Sequence, residues 1–289
     1  MNIAITDAKL FSVEGVDAAS FLQGQLTADV AALNIGEHLI AAHCSIKGSM
    51  VGLFRVMRIS DECFWLRVHQ EIAESAFNNL KKYSIFSKVQ LNFIDSANGF
   101  CLSSDYLEPV KSSESDRSFA AQIDAEHVEF WTTDLEVQNR LAKDSTGSLE
   151  DWYEINVRAG IFDLREATQE TFIPQMCNLQ AIDGVSFSKG CYTGQEIVTR
   201  LQHRGILKKA MYGFTLPQGH SISIGEPLFN ADQVEVGSVV LTSSTDQTSL
   251  LAVIQQSEKE GAIFTESGAA LNALELPYTL DPKLFESKR

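Results

Sequence analysis

The sequence predicts an α+β fold followed by a separate β-rich unit, and three observations carry that prediction. From His38 to His69, strand-like runs LIAAHCSI, MVGLFRVMRI and CFWLRVH follow one another across turn signals at Lys47-Gly48 and Asp61-Glu62. EIAESAFNNLKKY then places Ile72, Ala76, Phe77, Leu80 and Tyr83 at helical spacing before SKVQLNFI returns to strand. That ββαβ order puts helices on one face of an antiparallel sheet. Beyond Gly205 the texture changes to short β-rich runs between turn clusters, the mark of a small barrel or sandwich of about six strands.

In chain order, residues 17–36 read as two short helices capped by Asp17 and Thr27, the second closed by Gly36, with Phe21, Leu22, Val30 and Leu33 as core contacts. After the meander and its helix, DYLEPVKSSESDRS at 105–118 is polar and Ser-rich, a loop or boundary segment. FAAQIDAEHVEFWTT reads as a hairpin, and TDLEVQNRLAKD as a helix in which Thr133 and Glu136 form a capping box. Trp152, Ile155 and Ala159 fall on one face of a helix that Gly160 can end; a tryptophan so placed packs in a core or stacks on a ligand. In the last third, KAMYGFTL, VEVGSVVL, SLLAVIQQ and AIFT alternate with PQGH, GEPL, NADQ, STDQ and EKEG.

At 289 residues the chain is long enough for two or three domains. No apolar run approaches the roughly 18 residues of a membrane span, and the first residues carry no basic leader or cleavage site, so a cytoplasmic protein is expected. The five cysteines, Cys44, Cys63, Cys101, Cys177 and Cys191, are odd in number, scattered and without a CxxC pair, which argues against a disulfide framework or a zinc ribbon. His43 and Cys44 alternate across a strand and make poor joint ligands, so no protein-bound metal is assigned. A net charge of −15 repels nucleic acid over most of the surface, yet residues 186–210 carry Lys189, Arg200, Arg204, Lys208 and Lys209 against Glu196 alone.

That basic stretch surrounds the most informative motif, Ser188-Lys189-Gly190-Cys191-Tyr192-Thr193-Gly194-Gln195-Glu196. Thr193 and Glu196 have capping-box spacing, which starts a helix at Gly194 and sets Cys191 near the positive end of its dipole. Lys189, Arg200, His203 and Arg204 add positive charge, an environment that favours the thiolate, the nucleophilic and metal-binding form of cysteine. Cys191 is therefore the candidate reactive residue and Lys189 its candidate partner. Gln195 is free to bond a ligand or the cysteine loop, and Arg204 to receive an anion. Gly190 and Gly194 permit a tight turn. The other four cysteines read as core, with Cys177 kept as a possible second thiol.

KGCYTGQE, preceded by FIPQMCNLQAIDGVSF and followed by RLQHRGILKK, resembles the YgfZ family of folate-binding proteins; FLQGQLTADV with HLIAAHCSIKG and LKKYSIFSKVQL agree with it. That family is a branch of the superfamily of the glycine-cleavage T-protein, an aminomethyltransferase using tetrahydrofolate. The resemblance implies an α+β, GcvT/YgfZ-like fold of three domains around a central hole. Residues 1–204 would form two interleaved subdomains, about 1–45 with 120–204 and 46–119, one of them ferredoxin-like, and 205–289 a C-terminal β-barrel. It also implies tetrahydrofolate or a related folate as ligand, with Trp152, Arg158, Gln175, Asn178, Tyr192, Gln195 and Arg204 as the residues around it. The implied role is an accessory factor for assembly or repair of iron–sulfur enzymes, and thereby for tRNA modification. Its partners would be those enzymes or their assembly proteins; no direct nucleic-acid contact, no membrane and a monomer are expected. Two alternatives stand beside it, a one-carbon transferase of aminomethyltransferase type and a non-catalytic protein whose basic patch docks on an acidic partner or RNA. Where the superfamily carries a reactive acidic pair, GSMVGLF offers Gly52 and Leu53, and Arg158 precedes Ala159-Gly160 where a glutamate is usual. Arginine has no acceptor for a pterin ring. Ala8 stands in place of a family tryptophan.

Overall fold

The computed structural model of the chain describes residues 1–106 and 118–286; residues 107–117 of the polar loop read at 105–118 lie outside the described residues. The chain opens with β1 (Asn2–Ile5) and β2 (Ala8–Glu14), then α1 (Ala18–Gln25), β3 (His38–Cys44), β4 (Met50–Arg58), β5 (Cys63–His69), α2 (Ala73–Lys81) and β6 (Gln90–Phe93). There follow β7 (Asn98–Ser103), β8 (Ser118–Gln122), β9 (His127–Thr132), α3 (Leu135–Asp144), β10 (Ser145–Gly147) and α4 (Leu149–Ala159). A long stretch of 3-10 turns leads to α5 (Gln195–Arg204). The last unit holds β11 (Lys209–Thr215), β12 (Pro227–Phe229), β13 (Glu235–Ser244), β14 (Thr248–Gln255), β15 (Phe264–Thr265) and β16 (Asn272–Leu274).

Three sheets result, in strand orders β10-β1-β7-β9-β8, β3-β4-β5-β2-β6 and β15-β12-β13-β14-β11-β16. The first two are interleaved through the N-terminus: β1 pairs with β7 and β10, whereas β2, two residues later, enters the second sheet between β5 and β6. The second sheet draws its strands from residues 8–93, on both sides of the 45/46 division in the sequence reading. β4 is buried along all but its last residue, which explains its near-continuous apolar run: both faces of the strand are covered. One core joins the second sheet, α1, α2 and the 160–198 segment to β11, β13 and β14. A second lies around Trp65, Trp131 and Trp152.

The third sheet docks on α4. Ser243 Oγ donates to Glu150 O at 2.9 Å, and Ser249 Oγ to Glu154 Oε1 at 3.3 Å. Gly160 ends α4 at φ +66°, as its position after Ala159 predicts, and its carbonyl accepts from Tyr278 Oη at 2.9 Å.

Three caps differ from the sequence reading: two threonine hydroxyls are taken by partners far off in the chain, and at the third site the adjacent Asp134 caps in place of Thr133. Thr27 is fully buried and caps nothing: its hydroxyl donates to Gly184 O at 2.6 Å and accepts from Ala42 N at 2.9 Å, and only a 3-10 turn follows at Val30–Ala32. α3 is capped by Asp134, whose carboxylate accepts from Glu136 N and Val137 N, not by Thr133. α5 begins one residue later than predicted, and Thr193 Oγ1 donates to Gln25 Oε1 at 3.1 Å instead of capping it.

Candidate functional site

The cysteine loop is pinned along its length to the segment after α1. Ser186 N donates to Thr27 O and Thr193 N to Gly24 O. Lys189 Nζ lies between these anchors and donates to Leu26 O at 2.8 Å and Ala28 O at 2.7 Å, 5.1 Å above the ring of Tyr192. Burial pulls the Lys189 amine down to about 8. On the far side Gly194, at φ +82°, presses on the β3–β4 turn: a Cβ there would stand 2.5 Å from Ser45 O and 2.7 Å from Cys44 Cβ. Only glycine meets both demands. Gly190 has open space around it.

Cys191 is exposed at the apex of this braced loop. Cys44, Cys101 and Cys177 are buried; burial pushes the thiols of Cys44 and Cys101 up to about 12 and that of Cys177 well above its ordinary value. The core placement expected for Cys44, Cys101 and Cys177 is found, whereas Cys63 is intermediate in exposure. Cys177 is closed off as a second thiol. Lys189 braces the loop on two backbone carbonyls.

The residues that the resemblance assigns to a folate are scattered. Trp152 is 1% exposed and belongs to the core with Trp65 and Trp131, so its indole has no open face for a ligand. Gln175 is fully buried and donates to Val198 O. Asn178, at φ +58°, clamps β11 by donating to Met211 O and accepting from Met211 N. Tyr192 is buried under Lys189, and its hydroxyl has no hydrogen-bond partner among the described residues. Gln195 is half-buried, its backbone N–H donating to Tyr192 O. Arg158 is exposed and pairs with Glu154 at 2.7 Å, and Arg204 is exposed at the end of α5. Beside α4 and β4, the space lined by Leu53, Arg55, Arg67, Asn156 and Asp163 is about 10 Å³. That is room for about one water. A pterin ring is larger than that space.

Sequence reasoning missed what fills that space. Arg55 Nε stands 2.7 Å from Glu129 Oε2 and Arg67 Nε 3.5 Å from Glu129 Oε1, while Arg67 reaches Asp163 at 2.5 Å. Glu129 is fully buried and also accepts from Trp131 Nε1 at 2.7 Å. Next to it, Asp7 accepts from Tyr153 Oη at 2.5 Å, lies 3.0 Å from His69 Nε2 and faces Arg165 at 3.7 Å. Burial alone would raise the Asp7 carboxyl, but the His69 and Tyr153 hydrogen bonds and the charge of Arg67 outweigh it and hold the group well below the carboxylate range. The network ties the first sheet to the second and to the segment after α4. Its signal was present: an arginine inside each of two apolar strand runs, FRV and LRV. Among the described residues no group of three or more histidine, cysteine or acidic side chains could hold a metal ion, and no helix is long and apolar enough to cross a membrane.

No family model matches the chain. The fold is that of glycine-cleavage aminomethyltransferase T: the crystal structure of that protein from Bartonella henselae superposes with a TM-score of 0.74, at 17% identity, over 96% of this chain and 85% of that one. The chain belongs to the family of an uncharacterized Haemophilus influenzae protein, to which it is 32% identical over 285 residues, 96% of this chain and 98% of the relative.

Proposed function

We propose that this chain is a YgfZ-type accessory factor that supports assembly or repair of iron–sulfur enzymes, and through them tRNA modification, with the sulfur of Cys191 as its working atom. The observation that supports it is the placement of that sulfur: exposed at a loop apex braced on both flanks, while Cys44, Cys101 and Cys177 are closed into the core. A thiol presented on a fixed backbone is preorganised for a covalent or ligating step. Aminomethyl transfer is the weaker reading. A Cβ on Gly52 would meet Phe54 Cζ at 2.8 Å and Ala76 Cβ at 3.3 Å, and Leu53 is buried, so the acidic pair of such an enzyme has neither the side chains nor the space here.

Tetrahydrofolate or a related folate is the ligand class that the resemblance implies, and titration calorimetry with tetrahydrofolate on the purified protein checks it. The main test is genetic. In cells lacking the protein, wild type restores iron–sulfur enzyme activity and tRNA modification, and Cys191→Ala does not. Full rescue by Cys191→Ala would sink the proposal.

A further inference from the structure

Exposed apolar side chains gather beside the cysteine loop. Phe86 is 99% exposed and Ile85 77%, both in a 3-10 turn (Ser84–Phe86) just after Tyr83, itself exposed. Tyr83 packs edge-to-face on His43 near the end of β3, with ring centroids 5.6 Å apart. The β3–β4 turn continues from there to Ile46, 81% exposed. The same turn carries the thiol loop: Ser45 and Cys44 abut Gly194, and a Cβ on Gly48 would stand 2.7 Å from Cβ of Ile197 on α5. The β3–β4 turn thus stands between the two, touched by Tyr83 through His43 and by the thiol loop through Gly194. Single exposed apolar residues are ordinary, but a cluster with an exposed aromatic and a nucleophile at its border marks an interaction surface.

Its charge identifies the occupant. Residues 43–49 and 79–90 carry Lys47, Lys81, Lys82 and Lys88 and no carboxylate of their own, in a chain whose net charge is −15, with Asp17 the carboxylate that accepts from Lys88 N. Arg200 and Arg204 on α5 add positive charge, against Glu196 in its first turn. We propose that this face, with Phe86 and Ile85 as apolar anchors, docks an acidic protein and presents Cys191 to it. A bilayer fits less well: the apolar side chains sit on two separate turns, and a lipid offers a thiol nothing to react with or share. Lysines at the rim would steer an acidic partner, while the aromatic anchor supplies most of the affinity.

The inference rests on the proposed role of Cys191, and its test separates the two. In cells lacking the protein, the Ile85→Ser/Phe86→Asp double variant is compared with Cys191→Ala for restored iron–sulfur enzyme activity. The melting curve and the rate of Cys191 thiol titration confirm that the double variant is folded. The expected result is a loss of roughly tenfold or more in restored activity with both readouts unchanged. A benzophenone amino acid at position 86 should also cross-link, in the cell, to a protein that mass spectrometry identifies as acidic, and Lys81→Glu/Lys82→Glu should abolish the adduct. Full restoration by the double variant while Cys191→Ala stays inactive overturns the docking surface and leaves the thiol role standing; restoration by Cys191→Ala overturns the thiol role. A concentration-dependent dimer that the double variant loses, or flotation of wild type with phosphatidylglycerol vesicles that the double variant loses, would assign the face to a second copy or a membrane and overturn the proposal.

Discussion

Arg55 and Arg67 stand directly opposite each other across β4 and β5, and both are about 6% exposed. Like charges in direct cross-strand register repel, and burial removes the water that would screen them. Glu129 resolves the conflict by reaching both guanidinium groups from the neighbouring sheet, and Asp163 pairs with Arg67 as well. Glu129→Ala leaves two buried cations facing each other, with Asp163 on Arg67 alone. The expected cost is about 3 to 5 kcal/mol in urea-denaturation free energy, against less than about 0.5 kcal/mol for the exposed Glu196→Ala.

Asp7 gives the network a pH signature. Its carboxyl is held below the ordinary 3.8 in the folded protein, so the unfolded chain takes up the proton first as pH falls. The stabilisation is therefore present in full above about pH 5 and is lost as pH falls below 3.8 towards the folded value. The stability gap between wild type and Asp7→Asn should be constant from pH 7 to 5 and shrink below pH 4. A gap that widens on acidification would contradict this sign.

His43 acts in the same direction as Asp7, over a higher pH window. It is 1% exposed with neither ring nitrogen hydrogen-bonded among the described residues, and burial, with the nearby charge of Lys82, pulls it down to about 4. Between the ordinary 6.5 and about 4 the unfolded chain binds the proton that the folded chain refuses, so stability rises with pH across that window. His43→Leu removes both the titration and two orphaned polar atoms. It should be neutral or stabilising at pH 7 and should flatten the slope of unfolding free energy between pH 6.5 and 4.

Local pattern made the elements legible and long-range partners decided the rest. The meander, α2, the hairpin of β8 and β9, α4 with its Gly160 cap, and the β-rich last unit were readable because apolar periodicity and turn residues are set within a few positions of each other. Thr27 and Thr193 had the right spacing for caps, but their hydroxyls meet Gly184 and Gln25 more than 150 residues away, which spacing cannot reveal. Cys191 was legible as the thiol of interest from its motif. Lys189 beside it was not legible as a brace, since its carbonyl partners lie on the segment after α1. Trp152 fits the core alternative that its helical spacing already held. Trp152→Ala should therefore cost about 3 to 5 kcal/mol in urea denaturation, a core-sized loss and not the small change of an exposed stacking residue.

The two glycines of the motif separate loop geometry from composition. Gly194 has φ +82° and no space for a Cβ, with Ser45 O at 2.5 Å, so Gly194→Ala must move either the β3–β4 turn or the start of α5. Gly190 has no neighbour within 4 Å of the position a Cβ would take. Gly194→Ala should destabilise by about 1 to 3 kcal/mol, and Gly190→Ala should stay within about 0.5 kcal/mol of wild type. The loop also carries Cys191, so titration with a disulfide reagent reads the same difference chemically. Wild type and Gly190→Ala should show one fast thiol that Cys191→Ser removes, with Cys44, Cys101 and Cys177 reacting only as the chain unfolds. In Gly194→Ala the displaced turn loosens the packing over Cys44, which lies directly beneath Gly194, and a second thiol should begin to react before unfolding. A Gly194→Ala protein with wild-type stability and a single fast thiol would show that the motif's second glycine does not hold the loop against β3.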